Sequence, residues 1–209
     1  MVEPVLTHNR FAERLRADDA TLAIVDCQVG LLSTVAGTDP AADALRNNLI
    51  GLARLGHAFG LPTVLGVCVD AARGPVLGEL IDLFGPKAVM KRRSGGFWDD
   101  SASRDAVLAH GRHHLIIASL SPGFGVASTA LAARADGLEV HAVLDASAAS
   151  DDGAERIGLA RMTATGIHLT SWVAVLAELG ATGVDNCGGN GAAAVRDNLD
   201  RYATRTLTR

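Results

Sequence analysis

Apolar residues fall along this chain in short, dense runs, set apart by longer stretches of mixed character. Thr21 to Val25, Thr63 to Val69, Ala88 to Lys91, Leu115 to Ala118, Leu138 to Leu144 and Ile167 to Thr170 are compact runs of the kind that strands buried on both faces produce. The stretches between them read as helices: 8–18, a helix opened by Asp39-Pro40 and running to about Ala58, 76–84, Asp99 to His110, 124–136, 151–165, 171–180 and a last one near 192–203. Proline suits the first position of a helix, where its missing N–H has no partner to lose. Gly60-Leu61-Pro62 and Gly85-Pro86 break helices, and Gly137 caps one.

Strand and helix alternate about six times with short joins. That predicts an α/β, three-layer Rossmann-like sandwich: a six-stranded parallel sheet with helices on both faces. In the order 3-2-1-4-5-6, strands one and four flank the switch point, and function gathers at the carboxyl ends of the strands. Three features fall there: Asp26 after strand one, Lys91 at the end of strand three, and the turn 119–125 after strand four.

Length and charge narrow the class. The 209 residues suit one domain, 1–209, with a C-terminal helical extension at about 188–205 after the flexible break Gly188-Gly189-Asn190-Gly191. A net charge of −4 and no basic run longer than Lys91-Arg92-Arg93 argue against nucleic-acid binding. No apolar run approaches a membrane span and no leader is evident; Cys27, Cys68 and Cys187 read as reduced thiols in a cytoplasmic protein. The seven histidines are scattered and the cysteines have no metal spacing, so neither a metal nor a cofactor is expected.

Asp26 emerges from a buried strand, where a carboxylate must be paired or proton-exchanging; a helix cap or loop-ordering role is the competing reading. Lys91 is either the first residue of a solvated basic triplet or the charged partner of Asp26. Phe97 and Trp98, in a glycine-flanked loop just beyond, form either an apolar pocket wall or a subunit contact. Cys68 is the one thiol near the active edge of the sheet.

These residues carry a resemblance. Ala23-Ile24-Val25-Asp26-Cys27-Gln28-Val29-Gly30-Leu31-Leu32 resembles the first motif of the isochorismatase-like (cysteine hydrolase) superfamily, Lys91 followed by Phe97 resembles its lysine motif, and Ile116 to Ser119 through Gly125 to Leu131 its third. The stretch Arg161 to Leu179, with Trp172, is similar to an uncharacterised ring-forming hydrolase branch; the likeness covers a core of about 18–180. The resemblance implies that Asp26 is the general acid/base and Lys91 its partner. It implies an oxyanion turn at Phe124 and Gly125, with a cis peptide at Ser121-Pro122; Gln28, Phe97 and Trp98 are the candidate substrate contacts. It also implies a homo-oligomer: dimer, tetramer or octamer.

One departure matters. The family's nucleophilic cysteine aligns with Gly125, which closes a thioester route. The expectation is therefore a cofactor-free hydrolase or lyase of a small organic substrate, using Asp26 and Lys91 for C–O bond hydrolysis (vinyl ether, epoxide or acetal-like), with specialised metabolism as its setting. The alternatives are an inactive ligand-binding or scaffold homologue, and an amidase with its nucleophile relocated to Cys68.

Overall fold

Every residue of β1 (Ala20–Val25) and of β4 (His114–Ser119) is buried. Runs with no polar alternation are stable only where helices cover both faces of a sheet. The computed structural model describes residues 15–35, 39–93, 95–121, 126–149, 151–180 and 189–207, without the side chains of 35, 39–40, 189–194 and 207. β2 (Thr63–Cys68), β3 (Val89–Arg92), β5 (Glu139–Val143) and β6 (His168–Thr170) complete one sheet in the order β3-β2-β1-β4-β5-β6, all pairs parallel. The predicted class and strand order are those observed.

The pleat divides each strand between two cores. Leu22, Ile24, Leu65 and Ile116 face α2 (Asp39–Ala58) and α7 (Trp172–Leu179), meeting Leu49, Leu52, Leu55 and Trp172. Ala23, Val25, Ile117 and Val140 face the other way. They meet Val107 of α4 (Ser101–Leu108), Ala130 of α5 (Ala127–Ala135) and Met162 of α6 (Asp152–Ala164). Helix starts are held by side chains that accept orphan amides: Asp100 from Ser103 at 2.9 Å, Asp151 from Ala154 at 2.8 Å and Ser171 from Ala174 at 3.2 Å.

Three elements differ from expectation. α1 (Val29–Val35) had no counterpart in the sequence reading, because its β-branched ends and apolar centre carry no helical period. Of the helix expected at 8–18, residues 8–14 lie outside those described, and Ala17–Asp19 is a single 3-10 turn. α8 (Gly189–Leu207) is longer than its sequence pattern and lies on α2, where Asn47 and Asn198 exchange amide hydrogen bonds at 3.0 and 3.1 Å and Val195 is buried. α3 (Gly78–Phe84) is a short helix between β2 and β3. No described helix is long and apolar enough to cross a membrane.

Candidate active site

β1 ends in a sharp backbone kink. Asp26 has φ 57°, the one positive φ outside glycine among the described residues. A left-handed non-glycine residue costs about 1–2 kcal/mol and persists only where its surroundings over-determine it. Here they do: the Asp26 amide donates to Gly66 O at 2.7 Å, and its carbonyl accepts from Gln28 N at 2.8 Å. Aspartate is also among the residues that best tolerate this region.

Three donors converge on one oxygen of the Asp26 carboxylate. Oδ2 accepts from Arg92 Nη2 at 2.6 Å, Ser121 Oγ at 2.8 Å and Arg73 Nη1 at 3.3 Å. Oδ1 is buried and has no hydrogen-bond partner among the described residues. Asp26 and Arg92 are 1% and 4% exposed, whereas Arg73 is 22% exposed and its Nε also reaches Asp70 Oδ2 at 3.7 Å. A buried ion pair offsets its desolvation only when geometry is good and the remaining donors are used. Arg92 meets part of that condition by giving its Nε proton to Gly95 O at 3.1 Å, while its Nη1 is buried with no partner among the described residues.

The place expected for Lys91 is therefore taken by Arg92. β3 does not stop at Lys91 but runs on to Arg92, with Lys91 opposite Val67 and Arg92 opposite Cys68. Successive strand side chains point to opposite faces. Arg92 shares a face with Met90, which packs in the core around Phe97, while Lys91 shares one with Val89 and is exposed. A shift of one residue in the strand end exchanges the two cations.

Other sequence candidates are placed as follows. Gln28 is buried and spends its amide on the backbone, donating to Gly74 O at 2.7 Å and accepting from Cys68 N at 3.3 Å, so it ties the loop after β2 to β1. Phe97 and Trp98 are not a pocket wall. Both are core residues, Phe97 lying against Gly66 of β2 and Trp98 donating from Nε1 to Asp136 Oδ2 at 2.8 Å. A loop with two glycines looked exposed in sequence, but its aromatic pair had apolar area to bury under α4. Ser121 is joined to Asp26; Pro122, Phe124, Gly125 and the expected Ser121-Pro122 cis peptide lie outside the described residues.

Both described thiols are spent on backbone carbonyls, and Cys187 lies outside the described residues. Cys27 is buried beside Asp26; burial first, and the Asp26 charge second, push its pKa well above the ordinary range, and its Sγ donates to Val25 O at 3.4 Å. Cys68 is buried and its Sγ donates to Arg93 O at 3.7 Å, with no base at hand. Cys68, Gln28 and Lys91 line an apolar cavity of about 670 Å³, walled also by Val67, Val76 and Ile81. Among the described residues no cluster of three or more His, Cys, Asp or Glu is arranged to hold a metal ion.

Sequence reasoning missed both arginines. Arg92 had a signal, because it is the next residue in a strand that alternates faces. Arg73 had none: it comes from a loop 47 positions beyond Asp26.

A doubly wound parallel sheet with a buried carboxylate at its switch point, gripped by cations from β3 and from the segment after β2, defines an α/β domain with a charged site at the carboxyl ends of its strands. The Isochorismatase domain family matches residues 20–174, and the chain belongs to that family. It is 35% identical over 169 residues, 79% of this chain and 80% of the other, to the probable hydrolase YcaC of Escherichia coli (strain K12). Among solved structures it is similar to YcaC from Pseudomonas aeruginosa, with 34% identity, 94% of this chain and 97% of that one covered, and a TM-score of 0.79. It is likewise similar to E. coli YcaC, described as an octameric hydrolase of unknown specificity, at 31% identity, 91% and 97% coverage and a TM-score of 0.75. The chain is thus an isochorismatase-family, YcaC-like hydrolase homologue.

Proposed function

We propose that this protein hydrolyses a small organic substrate with Asp26 as the proton-transferring carboxylate, by a route that needs no thiol at position 125. The observation that carries this reading is the asymmetry of the carboxylate. Oδ2 holds three donors, while Oδ1 is buried and accepts from no described residue. A carboxylate fixed through one oxygen presents the other in a defined direction, which is what a general acid/base requires. Arg92 and Arg73 take the electrostatic role first expected of Lys91: they hold the negative charge and stabilise charge that develops next to it.

C–O bond hydrolysis fits best. Protonation of a vinyl ether, epoxide or acetal-like oxygen and attack of water needs a proton donor and acceptor, and Asp26 supplies both in turn. A relocated cysteine is less well supported, since both described thiols donate to backbone carbonyls rather than to a base. The scaffold reading would be favoured by Phe97, Trp98 or Phe124 closing the site; Phe97 and Trp98 are in the core, and Phe124 lies outside the described residues. A homo-oligomer is proposed by analogy with the octameric E. coli relative, and sedimentation equilibrium measures it.

The test is a panel of small vinyl ethers, epoxides and acetals assayed with wild-type protein and Asp26→Asn. The substitution keeps the shape and removes the exchangeable charge, so turnover should fall at least about 100-fold. Full turnover by Asp26→Asn on whichever compound is hydrolysed would show that another group moves the proton.

A further inference from the structure

The third donor on Asp26 is not a cation. Ser121 lies two residues past the end of β4, and its hydroxyl points at Asp26 Oδ2 at 2.8 Å. It is itself held: Ser119 Oγ donates to Ser121 Oγ at 2.8 Å, and Ser121 N donates back to Ser119 Oγ at 3.1 Å. Ser119 is in turn fixed at its backbone, where its amide donates to Ser147 Oγ at 3.1 Å and its carbonyl accepts from Ala148 N at 3.0 Å. The result is a short relay, Ser119 to Ser121 to Asp26, with every hydroxyl assigned.

A serine becomes a nucleophile when a base within hydrogen-bond reach takes its proton and a further group fixes its orientation. Ser121 meets both conditions. Its proton is directed at a carboxylate, one lone pair accepts from Ser119, and no described residue donates to the second, which is the one for attack. Unlike its two neighbours in the relay it is only partly buried. Arg73, also partly exposed and 3.3 Å from Asp26 Oδ2, stands where it can stabilise negative charge passing from Asp26 to a substrate oxygen.

We infer that Ser121 is a nucleophile and that the same site hydrolyses carboxylic esters through an acyl-serine. Ser121 Oγ attacks the ester carbonyl carbon and its proton passes to Asp26. The C–O bond to the alcohol breaks as the departing oxygen takes that proton. Water then adds to the acyl-serine, giving a proton to Asp26. The C–O bond to Ser121 breaks, Ser121 recovers the proton and the carboxylic acid leaves. The balance is one ester and one water to one acid and one alcohol. The inference rests on Asp26 as the proton-transferring group but goes beyond the non-covalent route.

The test uses the full chain, an alkyl fluorophosphonate and p-nitrophenyl acetate, with wild type, Ser121→Ala and Asp26→Asn matched for circular dichroism and sedimentation. The expected result is a phosphonyl adduct on the Ser121 peptide by mass spectrometry and a p-nitrophenolate burst near one equivalent per subunit, about the stoichiometry of an accumulating acyl-enzyme. Ser121→Ala should abolish both, and Asp26→Asn should slow labelling at least about 100-fold. A wild-type protein that shows no adduct, an adduct elsewhere, or a burst that survives in Ser121→Ala overturns the assignment. If Ser121 is unlabelled while Asp26→Asn loses turnover on the C–O panel, the serine inference alone fails. If Asp26→Asn labels and turns over like wild type, both readings fail.

Discussion

Replacing Arg92 by methionine isolates the interaction that organises the site. The change removes a 2.6 Å charged hydrogen bond to Asp26 and the 3.1 Å bond to Gly95 O, while leaving an unbranched stem of similar course. Breaking one side of a buried ion pair costs about 3–5 kcal/mol, because the other charge is left in a poor solvent. Asp26 keeps Arg73 and Ser121, so the lower end applies, about 3 kcal/mol. For a chain of this length each kcal/mol moves Tm by about 2–4 °C, which predicts a fall of roughly 6–12 °C. Lys91→Met, one residue away and exposed, should stay within about 0.5 kcal/mol of wild type. The assay is urea unfolding followed by tryptophan fluorescence at fixed protein concentration, with thermal melts alongside. Asp26→Asn combined with Arg92→Met should cost less than the sum of the singles, by about 1–3 kcal/mol, as residues in one network do. If Lys91→Met is as damaging as Arg92→Met, or if the double variant is additive, Arg92 is not the partner of Asp26 and the strand-face argument is wrong.

Two further predictions test packing and charge elsewhere. His141 is buried, with Nε2 3.0 Å from His114 Nδ1 and its ring stacked on His168 at 4.6 Å; burial first, then the His168 and His114 charges, bring its pKa down to about 3. In the unfolded chain it titrates near 6.5. The unfolded state then takes up a proton that the folded state refuses, so stability falls as pH drops from about 6.5 towards 3. The loss is about 2 kcal/mol by pH 5, and His141→Phe should flatten that slope in urea titrations across pH. Parallel curves for the two proteins would refute the coupling. Gly66→Ala would place a Cβ against the ring of Phe97, which is fully buried and cannot yield, at a cost of about 1–3 kcal/mol. Pairing it with Phe97→Ala should recover part of that loss in the same unfolding assay, and strict additivity would count against the contact.

Much of the architecture is legible in the residue pattern alone. The apolar runs at 21–25 and 115–118 lack polar alternation, and such strands are stable only in the middle of a covered parallel sheet. Right-handed crossovers and short joins then leave few strand orders, and Asp26 at the end of the first run falls at the switch point in the one observed. Local chemistry was sufficient for those features, because burial on both faces and turn punctuation are written in neighbouring residues.

The partners of Asp26 were not local. Lys91 and Arg92 are adjacent cations, and which of them enters the core depends on where β3 pairs with β2; moving a strand by one residue sends every side chain to the opposite face. Arg73 reaches the site only because Gln28 and its neighbours tie the loop after β2 across the end of β1. Phe97 and Trp98 read in sequence as a pocket wall or a subunit contact; only packing puts Phe97 over the bare Gly66 and Trp98 on Asp136. Local residue patterns were enough to specify the sheet and the carboxylate at its edge. Strand register, loop closure and packing, which join residues far apart in the chain, decided which charges and which hydroxyl meet that carboxylate.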